Sequence, residues 1–145
     1  MALRFKARNV PTRAAAGAWI LHSGLEKWTE GEESAKVHYA YAITAFPFLK
    51  RVPPTRLLRL LAAEEITTGA ILLTPFIPRA FAGAVLTAFS TSLLTLYLRS
   101  PALHKPGSAW PTLEGIMFSK DVWIFGIGLS LLTDAVVDRR REGSS

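Results

Sequence analysis

Cysteine is absent from the 145 residues. That removes disulfides, thiolate nucleophiles, iron–sulfur clusters, Cys-ligated zinc and haem attachment through CxxCH. It leaves the compartment open, since a chain without thiols tolerates either redox environment. Histidine is scarce, at 3 residues, and none stands in an HExxH or comparable spacing, so no metal site is expected. Only His22 falls in an apolar segment, with His38 and His104 in connecting stretches, so the facing histidines of a b-type haem are missing. No GxSxG elbow occurs. The GIG at residues 126–128 lacks the strand-to-helix context and the Lys-Ser/Thr pair of a phosphate loop. Charge is sparse too: 19% of residues, against 50% hydrophobic, a balance that excludes a disordered chain.

What is present is basic and apolar at once. Lys+Arg number 17 against 11 Asp+Glu, for a net charge of +6, and mean hydropathy is +0.25. The length predicts one domain, residues 1–145. The question is whether that domain is a basic soluble protein or a small membrane protein.

Charge-free windows separate the two. Ala80–Leu98 (AFAGAVLTAFSTSLLTLYL) runs 19 residues without a charge, about 30 Å as a helix, the thickness of a bilayer's hydrocarbon. Ala14–Leu25, Ile66–Pro78 and Val122–Thr133 are shorter and reach about 20 residues only by taking in one or two charges. A soluble helical protein could own such segments, but they lack the polar stripe of a surface helix. Across Ile66–Leu98 the only charge is Arg79, more apolar chain than a protein of this size can wrap. The expected fold is therefore all-α: an integral membrane four-helix bundle. Its spans lie near Val10–Trp28, Arg56–Phe76, Arg79–Leu98 and Lys120–Val137, with PFIPR as a tight turn. The basic N-terminal arm before a short apolar run resembles a signal peptide, but the run leads into His22, Glu26 and Lys27 without a small-residue cleavage site, so it is read as a retained span.

Between the first two spans, Thr29–Pro54 opens on Glu30, Glu32 and Glu33 and continues through Tyr39, Tyr41, Phe46 and Phe48 to Lys50 and Arg51. It is expected to be an interfacial segment between the first and second spans, and its role reads equally as a helix capping the bundle or as a binding segment. The prolines and glycines of Arg99–Ser119 predict an ordered, irregular lid. Trp28, Tyr97, Trp110 and Trp123 would form an aromatic belt on this loop-rich side. Small residues predict close helix packing: Ala80, Ala84, Ala88 and Ser92, then Gly126, Gly128 and Ser130, then Ala14–Ala18 with Gly24. The terminal side holds eight basic residues (Arg4, Lys6, Arg8, Arg13, Arg79, Arg139, Arg140, Arg141) and the other side nine. The two short basic arms favour cytoplasmic termini in a plasma-membrane protein. They also account for the net charge without a nucleic-acid partner.

Ionisable residues inside spans need partners or a water-filled cavity. His22 lies about 9 Å below Trp28, and Glu64 and Glu65 about 12 Å below Arg56, so His22 and one Glu are expected to meet. Arg56, Leu60, Glu64 and Thr68 share a face, which slightly favours Glu64 as the inward residue. The candidate polar pocket is His22, Glu26, Lys27, Glu64, Glu65, Lys120 and Asp121. It reads either as a pocket for a small polar ligand, a quinone head group or relayed protons, or as structural ion pairs that fix helix register. Asp134 and Asp138 are expected to be solvated or locally paired.

The order of AAGAWILHSGLEKW, FPFLKRVPPTRLLRLLAAEEITTGAILLTPFIP, AGAVLTAFS, LYLRSPALHKPGS and SKDVWIFGIGLSLL resembles the DoxX-like family of small four-helix membrane proteins, in its actinobacterial branch. The resemblance covers most of the chain after Arg13. It implies four spans and a link to redox physiology, since relatives are associated with quinone-linked thiosulfate oxidation or with membrane complexes handling oxidative stress. The family's polar positions resemble the Gly24/Lys27 end of the first span and the Glu of the second span. No catalytic residue set comes with the resemblance. The expected function is a membrane subunit or anchor of a redox or oxidative-stress complex, partnered by the bilayer and by other proteins. The alternatives are a quinone-reactive subunit using the charged pocket, with quinone as its cofactor, and a small-molecule or lipid carrier.

Overall fold

Prolines open the long helices. Pro11 stands in the first turn of α1 (Val10–Thr29), Pro54 is the first residue of α3 (Pro54–Leu73), and Pro78 precedes α4 (Arg79–Arg99). Proline suits these places because the first turn has no use for the missing N–H and its φ is already helical. The computed structural model describes residues 7–143, so Arg4 and Lys6 of the basic arm lie outside the described residues. Between α1 and α3 lies α2 (Glu32–Ala45), followed by a 3-10 turn over Pro47–Arg51. The short α5 (Ile116–Ser119) passes through Lys120, which keeps helical backbone angles, into α6 (Asp121–Gly143). No strand occurs among the described residues, and the chain is all-α as expected. Two helical stretches, Arg79–Arg99 and Ile116–Gly143, are long and apolar enough to cross a membrane. α1 and α3 have 20 residues each but carry charges within their length.

The helices pair. α1 packs chiefly on α3, and α4 on α6. Backbone proximity sets both pairs. A Cβ on Gly69 would stand 2.6 Å from the Leu21 nitrogen and 2.8 Å from its Cα, so the absence of a side chain is what lets α3 touch the α1 backbone. Gly128 does the same for α6, since a Cβ there would meet Thr87 Oγ1 at 2.5 Å and Thr87 N at 2.9 Å. The pairs meet in one core of Ala16, Ile20, Leu72, Ala82, Leu86, Phe89 and Leu131. Contact between α3 and α4 is sparse by comparison.

Some expected seams turn out to face outward. Ala84, Ala88 and Ser130 are exposed, and nothing lies within 4 Å of a Cβ at Gly126. The seam positions are set by which residues meet the partner backbone, and on α6 these are Gly128, Leu131 and Ala135.

The segment between α1 and α3 forms a helix that caps the bundle. It packs on α3 and α4 and buries Ala35, Ala42 and Ala45. Arg99 at the end of α4 donates to the Ala45 carbonyl at 3.0 Å and lies 5.9 Å from the Phe46 ring centroid, holding the negative end of α2. The lid over residues 100–115 is irregular, as expected. Ser108 N donates to the Lys105 carbonyl across Pro106 and Gly107, whose φ of +69° makes this a turn that glycine favours. Tyr97 departs from the expected aromatic belt. It is 4% exposed, and its hydroxyl donates to the Ala109 carbonyl, so it fastens the lid. Trp28, Trp110 and Trp123 do face outward.

The two glycines of α6 make a matched test. Gly128→Ala is expected to lower the detergent melting temperature, at an overpacking cost of about 1–3 kcal/mol. Gly126→Ala, which meets nothing, is expected to leave it unchanged or raise it. Equal effects in a thermal melt would contradict the α4–α6 seam.

Candidate functional site

The buried positions of α3 include Leu58, Ala62, Glu65, Gly69 and Leu72, three or four apart on one face. That stripe faces α1, so Glu65 is carried inward and Glu64 outward. The preference for Glu64 as the inward residue is therefore reversed. On α1 the facing stripe is Gly17, Ile20 and Gly24, and a Cβ on Gly24 would meet Ile66 N at 2.8 Å. Lys27 follows one turn later on the same face. Its Nζ donates to Glu65 Oε2 at 3.1 Å and to Ser23 Oγ at 2.8 Å, with the Lys27 and Glu65 side chains 18% and 11% exposed. Asp121, the first residue of α6, is close enough to feel the charges of both. Two of the seven pocket candidates thus pair directly, Lys27 and Glu65, with Asp121 within electrostatic range of both.

The other four do not join them. His22 Nε2 lies 3.3 Å from Glu26 Oε1, but this pair is about two-thirds exposed on the outer face of α1, and His22 meets neither Glu64 nor Glu65. One turn of helix separates His22 from Glu26, so both fall on the same outer face. Lys120 is exposed and contacts Met117 Sδ at 3.7 Å. Glu64 lines a separate groove toward α4. Among the described residues no three His, Cys, Asp or Glu side chains gather as a metal site would require.

A second polar assembly, outside the seven pocket candidates, stands at the terminal end. Asp134 and Asp138 sit one turn apart on α6. Arg79, opening α4, bonds Asp138 through Nη2 and lies 3.7 Å from Asp134 through Nε. Arg8 donates to Asp134 and, at 3.2 Å, to Asp138, and Asn9 Nδ2 donates to Asp134 at 2.8 Å. The hydrogen bond to Asp134 raises the pKa of the Arg8 guanidinium further. Beyond the solvation or local pairing expected of them, these acids pair with residues distant in sequence. They tie the start of α1 to α4 and α6, which brings both described ends of the chain to the same end of the bundle. The usable signal is the four-residue spacing of Asp134 and Asp138 beside the inward Leu131 and Ala135.

Arg13, in sequence only one more basic-arm charge, has a specific role as well. Its guanidinium donates to four carbonyls, those of Ile71, Leu72, Thr74 and Ile77, at 2.8–3.1 Å. It therefore satisfies the orphan acceptors at the α3 C-terminus and the turn after it. A lysine cannot reproduce this fork. Arg13→Lys is expected to cost about 2 kcal/mol, read as a lower unfolding midpoint, and an unchanged midpoint would contradict the cap.

The Lys27–Glu65 pair has its own test. Lys27→Met leaves Glu65 buried and unpaired and is expected to destabilise by about 3–5 kcal/mol. The double variant K27M/E65L is expected to recover near-native stability. If the double variant were no more stable than the single, the pair would not be the structural unit described. Compared with protein-family models, curated proteins and solved structures, the chain matches none of them.

Proposed function

We propose that the chain is a four-span integral membrane protein of the DoxX-like kind that its span motifs resemble. In this reading it is a membrane subunit or anchor of a redox or oxidative-stress complex and has no catalytic centre of its own. The spans are α1, α3, α4 and α6, α2 caps the loop-rich end, and both termini are cytoplasmic. One observation carries the membrane reading. Large apolar side chains project from the outer faces of all four helices, among them Trp19, Leu25, Leu60, Phe81, Leu98 and Trp123. Facing water, such a surface would be a large aggregation-prone patch, whereas a bilayer accommodates it. At 20 residues each, α1 and α3 reach about 30 Å. The charge deepest in their shared seam, Glu65, is paired with Lys27, as an intramembrane charge must be.

The subunit reading is supported by the loop-rich end. Phe48, Trp110, Leu113 and Met117 are each more than two-thirds exposed there, an apolar surface on polar loops of the sort that protein partners cover. The redox assignment rests on the family resemblance.

Purification from native membranes in mild detergent tests this. The expected result is a protein that stays in the membrane through alkaline carbonate and copurifies with stoichiometric polypeptides but without bound quinone. Stoichiometric quinone, lost in Glu65→Gln, would overturn it in favour of a quinone-reactive subunit. Release by carbonate would overturn the membrane reading itself.

A further inference from the structure

Where α3 and α4 touch sparsely, a laterally open groove of about 500 Å³ lies between them. That volume falls in the range of small-molecule sites. Its walls include Thr67 and Ile71 from α3 and Val85, Ala88 and Phe89 from α4, and Glu64 is the only charged residue among those lining it. The Thr67 hydroxyl donates to the Ala63 carbonyl at 2.7 Å, so this wall turns its hydroxyl back on its own helix. Glu64 has no hydrogen bond or ion pair among the described residues, since Lys27 is committed to its neighbour Glu65.

Position sharpens the problem. Glu64 adjoins Glu65, which packs on Gly24 and pairs with Lys27 in the last turns of α1, so it stands in the loop-rich half of the hydrocarbon in the four-span reading, on which this inference rests. A carboxylate there needs a counter-charge. No side chain on the α4 wall supplies one, and the surrounding surface is apolar. The complementary occupant is therefore apolar in bulk and positively charged. We propose that the α3–α4 groove binds a lipophilic cation, an amine or quaternary onium with apolar substituents. Glu64 pairs its charge, and Ile71, Val85 and Phe89 contact its body. The lateral opening allows entry from the lipid side.

Tetraphenylphosphonium serves as the probe, titrated calorimetrically into the detergent-solubilised full chain. The expected result is one saturable site per chain, weakened about tenfold or more in Glu64→Gln. Ala88→Phe, which fills the groove and leaves Glu64 in place, is expected to weaken it similarly. Both positions are exposed, so helicity and elution volume should stay native. Were Ala88→Phe to misfold, Glu64→Gln alone decides. Non-saturating uptake, or binding that Glu64→Gln leaves unchanged, would overturn the site. So would light scattering that shows a dimer dissociated by Ala88→Phe, because the groove would then hold a second copy of the chain. A protein that resists carbonate yet does not bind the probe fails this inference alone, whereas carbonate release fails the membrane reading beneath it.

Discussion

Backbone contact at glycine is the constraint on which the other features depend. In the proposed membrane setting, helices gain little by burying apolar side chains against each other, so close approach and polar pairing would hold them together. Gly69 against Leu21 and Gly128 against Thr87 supply that approach. They lock α1 to α3 and α4 to α6 and leave the contact between the pairs comparatively loose. The placement of charge then follows. Lys27 and Glu65 meet because each lies one turn from a small residue in the α1–α3 seam, Gly24 and Ala62 respectively. Glu64, one position away and about 100° around the helix, is turned out of that seam into the loose α3–α4 boundary.

The excess of basic residues acquires a structural meaning in this arrangement. Arg13 serves the α3 carboxyl end, Arg99 the α2 carboxyl end, and Arg8 and Arg79 the carboxylates of α6. Each guanidinium sits at a helix end, where the macrodipole or an acid supplies complementary charge. Of the basic excess behind the +6 net charge, Arg13 and Arg99 are thus committed to backbone carbonyls within the molecule. The two ends of the bundle differ in kind. The terminal end is an ion-paired knot, whereas the loop-rich end is a capped, aromatic surface.

Element boundaries are legible in the sequence because they are local. Proline at helix starts and charge-free windows place Arg79–Leu98 within one residue of α4 (Arg79–Arg99). The second expected span ends at Leu73 rather than Phe76 because Pro75 interrupts it and Arg13 caps the carbonyls before it. The capping role of α2 stays open in sequence because its residues are equally compatible with a binding segment. Side-chain facing is less legible. Choosing between Glu64 and Glu65 requires knowing the contact stripe. Arg56, Leu60, Glu64 and Thr68 do lie in line, but the small residues Ala62 and Gly69 flank Glu65 and mark the true seam. The Arg8–Asp134 and Arg79–Asp138 pairs join residues distant in sequence, which only the assembled helices bring together. Nothing local in Arg13 announces four carbonyl partners.

Four crossings of the bilayer are the central claim, and the absence of native cysteine makes it directly measurable. Single cysteines at Lys36, Phe76, Ser108 and Gly143 would be labelled in intact cells and after lysis with a membrane-impermeant maleimide. The account predicts that Lys36→Cys and Ser108→Cys react as one set from outside, and that Phe76→Cys and Gly143→Cys react only after lysis. Equal labelling of Lys36→Cys and Phe76→Cys from the same side would contradict it, because α3 would then not cross the membrane.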